Sequence, residues 1–226
     1  MRGTIVAMGG GGFSMEETPV LDDFVLSLAP RPRPHVVFVP TASGDSPEYV
    51  GRFAAAFEPR AELSWLSLFN RDADLVETLA DADIVYVGGG NTANLIALWR
   101  LHGLDTILRD AAARGVILAG VSAGALCWFE CGVTDSFGPQ LAPLTGGLGF
   151  LAGAFTPHYD GDPARRPLLQ GLVRDGTLPD AWAADDGCAL VFEDGALADL
   201  VTSRPGARAY RVTPAGETPH DARLLT

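Results

Sequence analysis

The chain has 226 residues, 47% of them hydrophobic, and its 28 acidic side chains outnumber 16 basic ones to give a net charge of −12. This length suits one large α/β domain with a substantial core, so we expect residues 1–226 to form a single domain. The acidic balance, without any basic run, argues against nucleic acid and against a membrane as partner, and no apolar stretch reaches the roughly 20 residues of a membrane span.

Short apolar strands alternate with helices through the first half of the chain. The predicted strands are Ile5–Met8, His35–Pro40, Leu63–Leu68, Asp83–Val87 and Val116–Ala119. The predicted helices are Val20–Leu28, Tyr49–Phe57, Asp72–Ala80, Ala93–Leu101 and Leu104–Arg114. This alternation predicts an α/β fold with a mostly parallel sheet and helices on both faces.

Four loops follow the carboxyl ends of the predicted parallel strands. They are Gly9–Phe13, Thr41–Pro47, Gly88–Thr92 and the turn at Ser122. Because ligands of open parallel sheets bind beyond this edge, we expect the four loops to converge on one site.

The second half of the chain has a different pattern. Gly132–Gly153 is rich in glycine, proline and leucine and is interpreted as irregular hairpin structure, and a helix is predicted at Asp162–Asp175. Short strands, some joined by Asp-Gly turns, are predicted at Ala154–Tyr159, Ala181–Asp186, Cys188–Phe192, Ala196–Leu200 and Tyr210–Val212.

The segment Gly120–Gly124 has the pattern G-x-S-x-G between an apolar strand and a predicted helix. Such a turn holds its serine on a strained corner, where the hydroxyl stands clear of the sheet and near free helix N–H groups. Ser122 is therefore the candidate nucleophile, although the same pattern also occurs as an ordinary turn.

A serine nucleophile needs a general base, and His158 is the candidate among four histidines. It lies at a predicted strand end downstream of the serine. By contrast, His35 begins a strand, His102 lies between two helices and His220 lies in a polar tail. A lone histidine is often structural, but the serine turn upstream favours His158 as the base.

A third member, a carboxylate that orients the imidazole, is also expected, and Asp135 and Glu130 are the candidates. Asp135 follows the predicted helix in a stretch where the chain can turn back, so Asp135 is preferred. Glu130 is predicted to lie on that helix, which carries it away from the site, and it is the substitute candidate for the acid. Asp135 could instead cap a turn.

The glycine run Gly88–Gly90 follows another predicted strand end. Its N–H groups, with that of Ala123, could form an oxyanion hole. A phosphate cradle is the alternative, but the run lacks G-x-G-x-x-G spacing and the chain has no lysine for a P-loop.

The three cysteines, Cys127, Cys131 and Cys188, are not spaced for a metal site and are interpreted as small buried residues. Their odd number and the lack of a signal peptide favour a reducing, cytoplasmic compartment. No metal and no organic cofactor is expected.

With these residues in place, the chain resembles the peptidase E and cyanophycinase family of serine peptidases. The resemblance rests on Val87–Thr92, Gly120–Ala125 and Pro157–Tyr159, which occur in this order. It implies a fold similar to the class I glutamine amidotransferase domain, which is a flavodoxin-like three-layer α/β fold.

The resemblance also implies a role for each matching residue. Ser122 would be the nucleophile, His158 the base and Asp135 the third member of the triad. The implied oxyanion-hole residues are Gly89, Gly90 and Ala123. The implied substrate-binding residues are Asn91, Thr92 and either Arg165 or Arg166, which match by position an arginine that holds the substrate carboxylate in peptidase E. A helix-surface pair is the alternative for the two arginines.

The sequence therefore predicts a serine peptidase acting on small peptides, with dipeptides that begin with aspartate, the substrates of peptidase E, as the preferred class. An amidotransferase-like or esterase hydrolase on the same scaffold is one alternative. A non-catalytic small-molecule binding protein is another. The family resemblance also makes a homodimer a reasonable expectation.

Overall fold

The computed structural model describes residues 2–71 and 73–226. Its helices are α1 (Val20–Ser27), α2 (Pro47–Phe57), α3 (Leu75–Thr78), α4 (Thr92–His102), α5 (Leu104–Ala113), α6 (Ala123–Leu126) and α7 (Arg165–Arg174). The predicted helix Asp72–Ala80 starts at a residue outside the described ones, and its described part is α-helical only in α3. None of the helices described is both long and apolar enough to cross a bilayer.

The strands of the described residues form two sheets. They are β1 (Thr4–Met8), β2 (His35–Val39), β3 (Glu62–Trp65), β4 (Ile84–Val87), β5 (Ile117–Val121), β6 (Phe129–Thr134), β7 (Ala142–Thr145), β8 (Leu151–Thr156), β9 (Ala181–Ala184), β10 (Cys188–Glu193), β11 (Ala196–Thr202), β12 (Arg208–Thr213), β13 (Gly216–Asp221) and β14 (Arg223–Leu224). The larger sheet has the order β14-β11-β10-β1-β5-β4-β2-β3. Its strands β1, β5, β4, β2 and β3 are parallel, which confirms the predicted α/β fold, and β10 joins β1 antiparallel.

Helices cover both faces of the larger sheet, as the apolar character of its strands predicts. Ile5 and Ala7 of β1 belong to one buried core, which also contains residues of α4 and α5. Val6 and Met8 belong to a second core with residues of α1 and α2. Strands buried on both sides have no polar face, which is why they read as continuous apolar runs.

The smaller sheet has the order β13-β12-β9-β8-β6-β7 and mixes parallel and antiparallel pairs. Phe129 of β6 and Phe155 of β8 stack with ring centroids 4.9 Å apart and belong to the first core of the larger sheet. On the smaller sheet, Leu169 and Val173 of α7 pack in a third cluster. The first core is therefore common to both sheets.

The chain after Ser122 differs from the prediction. The helix α6 ends at Leu126, and Phe129–Thr134 is the strand β6, so Glu130 lies on a strand rather than on a helix. The segment interpreted as irregular hairpin structure, Gly132–Gly153, contains the end of β6, β7 and the start of β8, and β6 and β7 form a regular antiparallel pair. Pairing of β6 with β7 and β8 fixes this conformation, which also agrees with the strand propensity of Phe129, Val133 and Thr134.

Asp22 of α1 is a buried carboxyl group beneath the loop that follows β1, with 1% of its surface exposed. Its Oδ2 accepts a hydrogen bond from the Phe13 N–H at 2.8 Å, and its Oδ1 accepts one from the Tyr86 hydroxyl at 3.3 Å. Burial raises the pKa of Asp22 from 3.8 to about 6, against the opposing effects of the Phe13 N–H and of Arg60.

Asp22→Asn is expected to change how the free energy of unfolding depends on pH. Between about pH 4 and pH 6 the folded protein keeps a proton that the unfolded chain has lost. The bound proton therefore stabilises the folded protein fully at pH values below 3.8, the ordinary pKa of aspartate. This stabilisation, about 3 kcal/mol, is lost as pH rises through about 6.

Urea unfolding across this pH range tests the prediction. The stability of wild type minus that of Asp22→Asn should fall by about 3 kcal/mol as pH rises from about 3.5 to about 7. Asp110→Asn, on the exposed side of α5, is the matched control and should show no such fall. A pH-independent difference between wild type and Asp22→Asn would contradict the argument.

Candidate active site

Ser122 stands at the turn between β5 and α6 with φ 56° and ψ −115°, a strained conformation for a residue other than glycine. The turn is possible because Gly120 and Gly124, two residues before and two residues after Ser122, have no side chain. A Cβ on Gly120 would lie 2.0 Å from the carbonyl oxygen of Gly124. A Cβ on Gly124 would lie 2.3 Å from the carbonyl oxygen of Val87. Close packing of strand, turn and helix thus fixes the Ser122 hydroxyl at the sheet edge.

His158 follows β8 and has its ring against the serine. Its Nε2 lies 2.8 Å from the Ser122 Oγ. The backbone of His158 is also in the left-handed region, with φ 51°. The two predicted residues, far apart in the chain, are therefore within hydrogen-bonding distance.

The carboxylate that bonds His158 is Asp186. Its Oδ1 lies 2.6 Å from the His158 Nδ1, with the two side chains 18% and 30% exposed respectively. Asp186 lies in the turn between β9 and β10, where its N–H donates to the Asp160 Oδ1 at 2.8 Å and its carbonyl accepts from the Arg204 Nε at 3.2 Å. These backbone contacts hold the carboxylate against the imidazole.

This contact corrects the expectation about the third residue. Asp135 is exposed at the end of β6, and its oxygens make no hydrogen bond to His158. Glu130 points elsewhere, since its Oε2 accepts from the Gly153 N–H at 2.8 Å. Both assignments assumed a helix that continued past the turn, and the strand β6 takes its place.

The glycine loop after β1 holds all three members together. The Met8 carbonyl accepts from the Ser122 N–H at 3.0 Å, and the Gly9 carbonyl accepts from the His158 N–H at 3.1 Å. The Gly10 carbonyl accepts from the Gly187 N–H, next to Asp186, at 3.1 Å. Three consecutive carbonyls, at the end of β1 and the start of the loop, therefore fix three distant segments.

Gly10 also makes room for the acid. A Cβ at this position would lie 2.1 Å from the Asp186 Oδ1 and 3.0 Å from the His158 Cε1. The sequence analysis placed Gly9–Phe13 among the loops of the site but did not extend to this role. The signal that could have found Asp186 is its Asp-Gly turn, if β10 had been predicted to pair with β1.

Two of the three expected oxyanion donors have free N–H groups. Ala123 is the first residue of α6, so its N–H has no partner within the helix. The Gly90 N–H makes no hydrogen bond to any described residue. The Gly89 N–H instead donates to the Tyr49 hydroxyl at 3.1 Å, and this hydroxyl also bonds the Ser14 Oγ at 2.7 Å.

Asn91 and Thr92 have structural partners in this structure. The Asn91 side chain caps α4 by accepting from the Asn94 N–H at 2.9 Å, and its Nδ2 donates to the Ser136 carbonyl at 2.9 Å. The buried Thr92 donates its N–H to the Ser136 Oγ at 3.0 Å. Neither residue lines the cavity beside Ser122.

The two arginines of α7 are also placed away from this cavity. Arg165 is 7% exposed and its Nε has no hydrogen-bond partner among the described residues. Burial lowers its pKa, against the effects of nearby carboxylates. Arg166 pairs with the Glu217 Oε1 at 3.0 Å and lies over the rings of Tyr159 and Tyr210. The structure thus brings neither arginine to the serine.

The cavity beside Ser122 has a volume of about 440 Å³, within the range typical of small-molecule sites. It lies at the edge where the four loops were predicted to converge. Its lining residues are Gly10, Ser14, Met15, Ser43, Ser46, Tyr49, Arg52, Gly89, Gly90, Val121, Ser122 and His158. Sequence reasoning missed Ser14, Tyr49 and Arg52, since none of them belongs to a recognisable pattern.

The three cysteines take no part in this site. All are free and buried, as predicted. Burial raises the pKa of Cys131 to about 11 and that of Cys188 to about 12, and it raises the pKa of Cys127 well above its ordinary value. Their thiols therefore stay protonated and are poor nucleophiles at neutral pH.

Comparison with known proteins identifies the family of this chain. The family model of Peptidase family S51 matches residues 5–200, a range that contains Ser122, His158 and Asp186. The uncharacterized peptidase YgaJ of Bacillus subtilis is 52% identical over 211 residues, 92% of this chain and 91% of that protein. Peptidase E of Shewanella denitrificans is 26% identical over 202 residues, 84% of each chain.

A solved structure has the same fold. The crystal structure of a peptidase from an acI-B1 actinobacterium superposes with a TM-score of 0.73 at 22% identity, covering 98% of this chain and 95% of that chain. The match covers nearly the whole of both chains, so the similarity of fold is not confined to one part of this chain.

Proposed function

The chain belongs to peptidase family S51 and is a peptidase, and we propose that it cleaves short peptides, preferably dipeptides that begin with aspartate, through an acyl-enzyme on Ser122. One observation carries the proposal: Ser122, His158 and Asp186 form an unbroken line of hydrogen bonds at 2.8 and 2.6 Å. Nucleophile, base and orienting acid in this geometry are the set that acyl transfer to a serine requires.

In the proposed mechanism the Ser122 Oγ attacks the scissile carbonyl carbon while its proton passes to the His158 Nε2. Asp186 accepts from the His158 Nδ1–H, which fixes the tautomer and stabilises the imidazolium. The N–H groups of Gly90 and Ala123 are the donors available to the oxyanion. His158 then protonates the leaving amine, and water, deprotonated by His158, releases the acyl group and restores Ser122.

The proposed substrate class rests on the cavity and on the resemblance to peptidase E. A volume of about 440 Å³ accommodates a short peptide rather than a folded protein segment. The lining is polar around Ser14, Ser43 and Ser46, which suits a ligand with exposed backbone groups. The aspartate preference follows the substrates of peptidase E.

Hydrolysis of a dipeptide panel tests the proposal. Asp-Leu and Asp-Ala should be cleaved faster than Asn-Leu and Leu-Leu, and Ser122→Ala should cleave none of them. Cleavage of neutral dipeptides at the same rate would overturn the aspartate preference while keeping the serine mechanism. Cleavage that persists in Ser122→Ala would overturn the mechanism.

A further inference from the structure

Arg52 gives the cavity beside Ser122 a localised positive charge. It is the one guanidinium among the lining residues of the described chain, and none of those residues is a carboxylate. The protein as a whole carries a net charge of −12, which repels anionic ligands. An anionic group that reaches Ser122 therefore finds its complementary charge at Arg52.

The guanidinium of Arg52 is only partly used by the protein. Its Nη1 donates to the Glu16 Oε1 at 3.2 Å, and its side chain is 39% exposed. The Nε is buried without a partner, and the Nη2 makes no hydrogen bond to a described residue. The Nη2 is therefore the donor that the protein leaves for an oxygen of a carboxylate.

Neighbouring residues fix the position of Arg52. It lies on α2, whose first turn is capped by the Ser46 hydroxyl. Its guanidinium carbon lies 5.2 Å from the ring centroid of Tyr49, the residue that also bonds the Gly89 N–H. The Arg52 guanidinium thus packs on the ring of Tyr49, which itself lines the cavity next to Ser122.

Arg52 is also better placed to bind a substrate carboxylate than the two arginines of α7. Arg166 is committed to Glu217 and two aromatic rings, and Arg165 is buried in α7 among acidic neighbours. Neither lines the cavity. Arg52 is therefore the arginine that the cavity itself presents to a ligand.

We propose that Arg52 binds the carboxylate of the peptide substrate and sets the preference of the site for acidic ligands. This inference rests on the proposed function, because it concerns the same cavity. The carboxylate is either the side chain of an N-terminal aspartate or the free carboxyl terminus of a dipeptide, which share one chemistry. Glu16 then competes with the substrate for the same guanidinium.

Calorimetric binding to the Ser122→Ala protein tests the inference without turnover. Arg52→Met in this background should weaken Asp-Leu binding about 10- to 100-fold, the effect of losing a charged hydrogen-bonded pair. Arg52→Lys should recover part of it, since lysine keeps the charge but not the fork. Arg114→Met, on an exposed helix end, is the matched control and should bind like its parent.

Two further dipeptides identify the source of the carboxylate. If Arg52 holds the aspartate side chain, Asn-Leu binds equally to both proteins and Asp-Leu amide keeps its sensitivity to Arg52→Met. If Arg52 holds the carboxyl terminus, Asn-Leu binds more weakly to the Arg52→Met protein and Asp-Leu amide binds equally to both proteins. Equal binding of Asp-Leu with and without Arg52, or no binding to either protein, overturns the inference.

Turnover by the protein with Ser122 intact separates this inference from the proposed function. Arg52→Met should raise KM for Asp-Leu about 10- to 100-fold and leave kcat within about threefold. Arg52-dependent binding without any hydrolysis would overturn the proposed function and support the inference. Hydrolysis of Asp-X dipeptides with the same KM in Arg52→Met as in wild type would overturn the inference and leave the proposed function intact.

Discussion

Ser122→Ala is expected to lower kcat for peptide hydrolysis by at least about 10⁴-fold. The substitution removes the atom that would form the proposed acyl-enzyme, whereas His158, Asp186 and the proposed oxyanion donors stay in place. What remains is the small contribution of substrate binding and oxyanion stabilisation. Initial rates with Asp-Leu at saturating concentration measure the effect.

Ser27→Ala on α1 is the matched control for this loss. Its hydroxyl is exposed and donates to the Phe24 carbonyl within the same helix. It should retain wild-type kcat, and both variants should unfold at similar urea concentrations. A fully folded Ser122→Ala protein with more than about a tenth of wild-type activity is incompatible with a serine nucleophile.

Asp186→Asn is expected to lower kcat by about 10³- to 10⁴-fold with little change in fold. The amide is the same size as the carboxylate, but it cannot stabilise the imidazolium, and its NH₂ favours the wrong His158 tautomer. The effect therefore appears in kcat rather than in KM. Single-turnover kinetics with Asp-Leu separate the chemical step from binding.

Asp135→Asn and Glu130→Gln are the controls that distinguish the observed acid from the expected ones. Both side chains lie away from the His158 Nδ1, so both variants should retain kcat within about threefold. The opposite pattern, with Asp186→Asn active and Asp135→Asn inactive, would reject Asp186 as the orienting acid. Unfolding by urea should be measured for all three proteins.

The serine and the histidine could be predicted because their signals are local. The turn at Ser122 combines a strand, a strained residue and two glycines within one short segment. His158 follows an apolar strand, and the resemblance adds weight to Pro157–Tyr159. The parallel sheet could also be predicted, since strands buried on both faces are apolar throughout.

Asp186 could not be predicted because its position depends on long-range strand pairing. The start of β10 comes to the end of β1 only through their antiparallel register, which pairs Met8 with Ala189. In the sequence, Asp186-Gly187 has the composition of an ordinary hairpin turn. The error over Asp135 has a related cause, because the predicted helix was extended past Leu126 into Phe129–Thr134, which pairs with β7 and β8.

Arg52 was overlooked for a different reason. Its helix was predicted, but the sequence does not show which side chain of α2 faces the serine or which arginines already have partners. Arg166 matched by position, yet Glu217 on the distant strand β13 occupies it. Only the assembled fold shows which cation is left for a ligand.

Covalent labelling by a neutral fluorophosphonate tests the role of Ser122 most directly. Intact-mass and peptide-mapping spectrometry should find one adduct per chain, on Ser122, formed in step with the loss of peptidase activity. Asp186→Asn should form it far more slowly, and Ser122→Ala should not form it. An active wild-type protein that remains unlabelled, or one that keeps its activity after Ser122 is fully labelled, would contradict the serine mechanism.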